Sequence, residues 1–447
     1  MNAVLLAAVL LTQVDAPKIE TAKSEAATPE AIAKQIEILR AETADLERSS
    51  QSRMMSREAG SAAAGVLFKI GEPAVAELVK LLQDDKPIVR LNAAWTLQRL
   101  DGPQATEAKL AALSHDDPQV RRLAAAGFRD LSDAKPILAI MKLFQDPDGR
   151  VRATAVAALT YYPESKRKFN QYMFGRIADA LKPLVDDPEM SVRYNTARTL
   201  GSLEGHGLAM LERLAFDADR YVRAEAINGL HKIKSKHSLD TLLKATDDSV
   251  PQVAGYAAAA LGDLEDVRAV PMLLPLLKSK DATLAAPVAE ALGKIRDRRA
   301  MDPLIEALGH EHEFVRYAAA KSLGNLQDVR AVEPLIAAMQ RDDGPERYFE
   351  ALCRLNDERA IKPLVAALYS EPPPKYVNTG NAAKKWFPQL RHPRMIQELA
   401  ERIIAQPKHQ STIPARMIVE EIVGRDLSSG NFESWWKVEK TRPCYKP

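Results

Sequence analysis

Four consecutive residues with metal-binding side chains, His310, Glu311, His312 and Glu313, stand in the stretch ALGHEHEFVRYAAAKSLGNL at positions 307–326. Imidazole and carboxylate groups are ligands for zinc and non-haem iron, so this turn is the first place to look for chemistry. Its spacing argues against a helical metal site, because an HExxH helix presents its histidines at i and i+4, whereas these stand at i and i+2. The remaining histidines, His115, His206, His231, His237, His392 and His409, are scattered, and Cys353 and Cys444 form no CxxC pair. There is no G-x-S-x-G elbow and no phosphate-cradling glycine loop. These observations assign no catalytic residue and no cofactor, and leave His310 and His312 as weak metal candidates.

The elements that hold this turn decide its meaning. The 447 residues carry a formal charge of +2 with 27% charged residues, a balance that gives no global pull onto nucleic acid or a membrane surface. Aromatics make up 6% while Ala, Leu and Val abound, which favours closely packed helices over strands. The segments IVRLNAAWTLQRL, QVRRLAAAGFRDL, RVRATAVAALTYY, SVRYNTARTLGSL, YVRAEAINGLHKI, QVAGYAAAALGDL, TLAAPVAEALGKI and FVRYAAAKSLGNL align without gaps. Their anchors, Val89, Val120, Val151, Val192, Val222, Val253, Leu284 and Val315, are separated by 31, 31, 41, 30, 31, 31 and 31 residues. Weaker copies near Ala59 and Gly344 extend the series to about ten units, and a fixed period of this size is the mark of a solenoid.

Within a unit, aliphatic residues fall at 0, +8 and +11 from the anchor with small residues at +4 and +7, as in Val315, Leu323, Leu326, Ala319 and Ser322. That is helical spacing with a closely approachable stripe. Ahead of it, DPLIEAL, VEPLIAAM and IKPLVAAL read as a second helix with Pro303, Pro334 or Pro363 in its first turn. Each unit is thus an antiparallel helix pair that buries its apolar stripe only by stacking on its neighbours. The expected fold is all-α: an α-solenoid, or superhelix, of about ten stacked helix pairs with helical caps at both ends.

The segments DVRAVPMLLPLL, DRRAMDPLIEAL, DVRAVEPLIAAM and DERAIKPLVAAL, each preceded by an Ala-rich ALG-type helix, resemble HEAT repeats of the short kind named after the phycobilin lyases. The resemblance covers roughly residues 52–369. Similar repeats serve as protein-binding scaffolds, as bilin lyase subunits and as iron-binding deoxyhypusine hydroxylases, so the resemblance implies a fold and leaves the activity open. A hydroxylase would require His-Glu pairs on helices of different repeats converging on iron, whereas here they share one turn. In the other units the same turn reads HDDP, DPDG or DADR. Three before the anchor it supplies an N-cap such as Asp117, Asp148 or Asp219, so the histidine-rich version reads as a structural variant of that turn.

An arginine follows most anchors: Arg90, Arg121, Arg152, Arg193, Arg223 and Arg316. Each follows an acidic turn by a few positions, Asp117 before Arg121, Asp148 before Arg152 and Asp219 before Arg223, which suggests a ladder of charge pairs within or between units more than a phosphate-binding stripe. Ala254 and Ala285 interrupt the column, and hydrogen exchange is expected to be fastest near residues 250–290.

The long interval contains an insertion, YYPESKRKFNQYMFGR at 161–176, in which Tyr161, Tyr162, Phe169, Tyr172 and Phe174 alternate with Lys166, Arg167, Lys168 and Arg176. It reads as a longer first helix, as a partner-binding loop or as a stacking surface for nucleic acid, the last disfavoured by export. Residues 1–16 read as a signal peptide with cleavage after Ala16, giving an exported, periplasmic or secreted location. Residues 17–51 hold an amphipathic helix, capped at Thr28 and Pro29, with Ile32, Ile36, Leu39 and Leu46 on one face. Residues 370–447 form a helical cap after the link SEPPPKYVN, and its Gly424, Asp426, Trp435 and Trp436 resemble the ends of bacterial HEAT-like proteins. The function expected is a non-enzymatic scaffold that binds another protein through its concave helical face and the insertion, with no nucleic acid and no membrane insertion of the mature chain. The alternative is an enzyme on the same repeats, an iron-dependent oxidoreductase or a lyase.

Overall fold

A computed structural model of the chain describes residues 28–46, 63, 65–128, 131, 133–160, 167–342, 344–369, 379–390, 392–409, 411–424, 427 and 432–441. The expected signal peptide, the link 370–378, Asp426 and Cys444 lie outside the described residues. Among the described residues every regular element is helical, as the composition and repeat pattern require. The chain forms two compact units, residues 1–163 and 164–447.

In the first unit, α1 is Pro29–Leu46 and the helix pairs that follow are α2 Val75–Leu81 with α3 Pro87–Arg99, α4 Pro103–Ala112 with α5 Pro118–Ala126, and α6 Ala134–Lys142 with α7 Gly149–Ala158. The second unit opens with α8 Arg167–Leu181 and α9 Met190–Leu200. Pairs then follow as α10 Leu208–Leu214 with α11 Arg220–Ile233, α12 Leu239–Ala245 with α13 Pro251–Leu264, α14 Val270–Leu276 with α15 Ala282–Ile295, and α16 Met301–Ala307 with α17 Glu313–Leu326. Next come α18 Val332–Arg341 with α19 Glu346–Leu355, α20 Ile361–Leu368 with α21 Thr379–Trp386, α22 Pro393–Ala405 with α23 Thr412–Val423, and α24 Phe432–Glu439. Within each unit the second helices pack on one another in sequence. The anchors Val89, Val120, Val151, Val192, Val222 and Val315 are completely buried, so the residue that defines the repeat also forms its core.

The second helices from α11 to α19 end on a non-glycine residue in the left-handed region: Lys234, Glu265, Arg296, Gln327 and Asn356, with φ between 50° and 59°. Four of these positions carry a side chain that disfavours this conformation, held there by the stacking of the units on either side. The DxRA turn then begins the next pair. Asp266, Asp297, Asp328 and Asp357 each accept the N–H of the residue two further on, and the arginine at that position folds its guanidinium back onto the same carboxylate.

α1 buries Ile32 and Ile36 and packs on α3, with Thr28 Oγ1 accepting the Ala31 N–H at 3.2 Å. The side chains of Leu39 and Leu46 lie outside the described residues. At the other end, the expected helical cap consists of α21, α22, α23 and α24. Trp436 is buried, Trp435 packs on Phe432 at 5.5 Å between centroids, and Arg416 of α23 lies over the Phe432 ring at 5.5 Å.

Candidate partner-binding face

The turn between the helices of a pair contains one recurrent hydrogen bond. Five residues before the anchor, Asp84, Asp146, Asp187, Asp217 and Asp248 each accept the N–H of the residue two further on, at 2.8–3.0 Å. Ser279 does the same through its hydroxyl. His115 and His310 occupy this position in their units, and Nδ1 of each accepts the corresponding N–H, at 2.9 and 3.1 Å. Nε2 therefore carries the proton in the neutral ring, and it donates to a carbonyl of the preceding pair, Leu82 O from His115 and Ser279 O from His310. Both nitrogens of His310 are engaged, which leaves no lone pair for a metal while the turn is intact. His312 stacks on His310 at 5.9 Å between ring centroids. Among the described residues no group of three or more His, Cys, Asp or Glu is placed to hold a metal ion.

The arginine after the anchor points away from the acid that precedes it in its own turn. Arg121 reaches Asp146 through Nε at 2.7 Å and Nη2 at 2.9 Å, Arg193 reaches Asp217 at 2.7 and 3.0 Å, and Arg223 reaches Asp248 at 2.6 and 2.9 Å. Arg316 donates to Asp342 at 2.7 Å. The bridges thus run from one pair to the next, which decides between the two forms of the expected ladder in favour of pairing between units, and Asp117, Asp148 and Asp219 do not pair with the arginine four positions on in their own turns. Those aspartates act instead at the helix start. Asp117, Asp148 and Asp219 accept the N–H groups of Gln119, Arg150 and Tyr221. Asp117 also receives Arg90, because His115 stands where the usual acceptor would be.

The remaining guanidinium nitrogen, Nη1, donates to two carbonyls of the turn that joins the helices of its own pair. Examples are Asp217 O and Ala218 O for Arg223, and Asp146 O and Pro147 O for Arg152. The guanidinium thereby satisfies two backbone carbonyls that the turn itself leaves without a donor from this set. Burial pushes the Asp217 and Asp248 carboxyls up, but the arginine and the backbone N–H outweigh it and hold both below the ordinary carboxylate range. Asp342 is 3% exposed and is held low in the same way, with the Tyr348 hydroxyl also donating to it.

The two gaps in the arginine column lie opposite gaps in the acceptor column. Ala254 is 25 positions before Ser279 and Ala285 is 25 before His310, the spacing that joins Arg121 to Asp146. Donor and acceptor are lost together, so no carboxylate is stranded. Close packing holds these pairs instead. A Cβ on Gly262 would lie 2.6 Å from Ala291 Cα, and one on Gly255 would lie 2.2 Å from Thr283 O, the carbonyl to which Pro287 offers no N–H. This close approach of the helix backbones weighs against the fast hydrogen exchange expected near residues 250–290, which an exchange measurement tests.

The outward edge of the second helices carries aromatic residues that the repeat pattern did not single out. In the second unit Tyr194, Tyr221, Tyr256, Phe314 and Tyr317 occupy positions −1, +2 or +3 from the anchor on α9, α11, α13 and α17. Phe314 is 62% exposed, and Tyr221 and Tyr256 are also exposed. Arg220 lies over the Tyr221 ring at 4.8 Å, Arg347 lies over Tyr317 at 4.2 Å, and Gln252 Nε2 donates to the Tyr256 hydroxyl at 2.8 Å. Exposed rings held in place by cations and hydrogen bonds lose little freedom on binding, a property of interface anchors. The signal was present in the sequence as aromatic residues at solvent-side columns of an Ala-rich repeat.

The family model for HEAT repeats matches residues 50–127, 207–286 and 270–351. The chain is a HEAT-repeat protein. Among solved structures, it is similar to Kap95p bound to RanGDP, at 13% identity and a TM-score of 0.58 over 99% of this chain and 67% of that one. It is also similar to importin beta, at 14% identity and a TM-score of 0.58 over 92% of this chain and 66% of that one. The YibA protein of E. coli matches at 19% identity with a TM-score of 0.46, over 62% of this chain and 97% of that one. No curated protein matches the chain. These likenesses concern the fold, an α-solenoid of HEAT repeats.

On this HEAT array the residues of the irregular unit are placed as follows. Tyr161, Tyr162 and Lys166 lie outside the described residues, as do the side chains of Arg167, Lys168 and Phe169, although the latter three belong to α8. The segment from Arg167 onward is helix, and at 15 residues it is longer than the 7-residue first helices α10, α12, α14 and α16. Tyr172 is 73% exposed with Arg176 over its ring at 5.8 Å. Phe174 is 5% exposed and meets His206 edge to face at 6.2 Å, so it is a core residue and is withdrawn from the contact set. One helical turn cannot present both: Tyr172 and Phe174 are about 200° apart around the axis.

Proposed function

We propose that this protein is a non-enzymatic scaffold that binds a partner protein on the exposed edge of its second helices, with Tyr172 and Arg176 of α8 as a further contact. The observation that carries the reading is the row of ring-bearing helices in the second unit, where Tyr221, Tyr256 and Phe314 are exposed although the repeat elsewhere fills its faces with alanine. Aromatic residues left in water on a rigid helical frame supply contact area at small entropic cost. The engagement of both His310 nitrogens removes the main residue-level argument for the competing metalloenzyme reading. Among the described residues no helix is long and apolar enough to cross a membrane, consistent with a partner met in water. Export with removal of residues 1–16 belongs to the same proposal, and N-terminal sequencing of the protein from its source cells tests it.

The test is quantitative affinity capture from those cells with wild type, with a Tyr221→Ala/Tyr256→Ala/Phe314→Ala variant and with a Tyr172→Ala/Arg176→Ala variant, all checked for unchanged helicity. These truncations spare the core, unlike replacement of the whole segment, which removes buried Phe174. A partner retained by wild type and reduced at least about tenfold by the triple variant fits the loss expected of two or three anchor residues. Equal recovery by all three proteins refutes the face assignment.

A further inference from the structure

The C-terminal end of this face carries exposed cations on three successive second helices. On α17, α19 and α21 the outward residues Lys321, Arg347 and Lys385 are exposed, and among the described residues none has a carboxylate within ion-pair distance. Elsewhere the arginines after the anchors and those of the DxRA turns have carboxylate partners, as in Arg223 with Asp248 and Arg330 with Asp328. Three acids share these helices with the free cations. Glu313 accepts the Tyr317 hydroxyl at 3.3 Å, Glu350 pairs with Arg354 at 2.9 Å, and Glu346 is half-buried in the first turn of α19, where the helix dipole favours it.

Rings and cations bridge the helices into one strip. Arg347 of α19 lies over Tyr317 of α17 at 4.2 Å, and Arg354 of α19 lies over Trp386 of α21 at 5.9 Å. Lys385 lies over the same Trp386 ring at 4.7 Å. At the far edge of α21, Lys384 Nζ is 4.0 Å from Met417 Sδ, and Met417 is exposed. An unpaired cation over a ring keeps its charge available, and its hydration is reduced by the ring, so an incoming carboxylate meets a partly desolvated partner. Neighbouring positive charges of this kind repel one another until an anion arrives, which makes the strip selective for negative charge.

We propose that this strip receives an acidic segment of the partner protein that also carries apolar side chains, its carboxylates meeting Lys321, Arg347 and Lys385 and its apolar groups meeting Phe314 and Trp386. The proposal rests on the scaffold reading and adds the chemistry of the partner. Carboxylate against cation sets steering and register, and the rings supply the buried area.

The test uses the full chain and fluorescein-labelled peptides of repeating Asp-Phe-Glu-Leu, with repeating Asn-Phe-Gln-Leu as the uncharged counterpart and heparin as a competing polyanion. Anisotropy is read for wild type, for Lys321→Glu/Arg347→Glu/Lys385→Glu, and for the control Lys135→Glu/Lys278→Glu, whose lysines are exposed elsewhere on the surface. The expected result is binding of the acidic peptide at least about tenfold tighter than its amide counterpart, a similar loss in the triple reversal, no change in the control, and several-fold weakening as salt shortens the Debye length. Equal binding of the two peptides overturns the acidic-partner proposal and leaves the aromatic face standing. Heparin bound more tightly than the peptide, per negative charge, overturns it in favour of a polyanion. If no peptide binds, the proposal falls, and the affinity capture described above then decides separately whether the scaffold reading falls with it.

Discussion

Removal of one rung of the inter-unit ladder gives a number that the structure fixes in advance. Arg223 makes four hydrogen bonds: to Asp248 Oδ2 at 2.6 Å and Oδ1 at 2.9 Å, and to the carbonyls of Asp217 and Ala218 at 3.0 and 3.1 Å. Its side chain is 14% exposed and that of Asp248 8%, so solvent screens the pair only in part. Arg223→Met leaves the Asp248 carboxylate with the Val250 N–H as its remaining hydrogen-bond donor of this set and removes the donor to two turn carbonyls. For a partly buried pair that amounts to a loss of about 3 kcal/mol, below the upper end of the range for a fully buried one. Asp248→Asn keeps one acceptor and the backbone bond, for a loss of about 1.5 kcal/mol. In the double variant the uncompensated charge is gone, and the total is expected near 3 kcal/mol instead of the additive sum, a coupling of about 1–2 kcal/mol. Urea denaturation measures the cycle, and native-state hydrogen exchange locates it. Amides of α11 and α13 should open about a hundredfold more often in Arg223→Met, with distant helices less affected because each pair touches only its neighbours. Strict additivity, or a loss spread uniformly along the unit, refutes the ladder as the element that couples successive pairs.

Four further outcomes follow from the same geometry. Gly255→Ala places a methyl group 2.2 Å from Thr283 O and is expected to cost about 1–3 kcal/mol, while wild-type amides at 250–290 exchange no faster than those of the neighbouring helices; a neutral substitution or fast exchange there would restore the reading of a weak centre. His310→Ala removes two backbone-directed hydrogen bonds and is expected to cost about 1–2 kcal/mol by thermal denaturation, whereas His312→Ala stays within about 0.5 kcal/mol; stoichiometric iron or zinc in the purified protein, lost on changing both, contradicts the structural assignment. Gln327→Gly relieves a left-handed backbone at φ 55° and should raise stability by about 0.5–1 kcal/mol, measured as a shift in the urea midpoint; a decrease would mean the Gln side chain is itself bound in place. Asp117, Asp217, Asp248 and Asp342 all titrate below the ordinary carboxylate value in the folded chain, so their stabilisation is complete above about pH 4 and disappears as pH falls through the depressed folded values. Acid unfolding should accordingly be shallower in Arg223→Met than in wild type, and parallel curves would remove Asp248 from the acid-sensitive set.

The period, the helix pair and the buried anchors were legible from the sequence because they depend on short-range rules. A valine or leucine recurring mostly at intervals of 30 or 31 residues, prolines in first helical turns and aspartates at helix starts determine local conformation whatever lies beside them. Even the acceptors of the ladder were recorded there, as an acid 24–26 positions after most arginines, with Ser279 and His310 opposite the two alanines that replace arginine. What the sequence left undecided was direction. Asp117 and Asp146 are both close enough in sequence to pair with Arg121, and only the stacking of one pair on the next brings Asp146 within 2.7 Å. The same holds at residues 250–290, where the missing arginines read as a flexible point, whereas the close approach of Gly255 and Gly262 to the next helix is visible only in the stacked units.

The exposed rings of Tyr221, Tyr256 and Phe314, the burial of Phe174, and the cations left unpaired at Lys321, Arg347 and Lys385 are likewise properties of the assembled units. Composition determined that the chain is helical, and period determined that it stacks. Which charges find partners, and which remain for another molecule, depends on groups roughly 25–30 residues apart meeting across a helix interface, and that distance is set by packing alone.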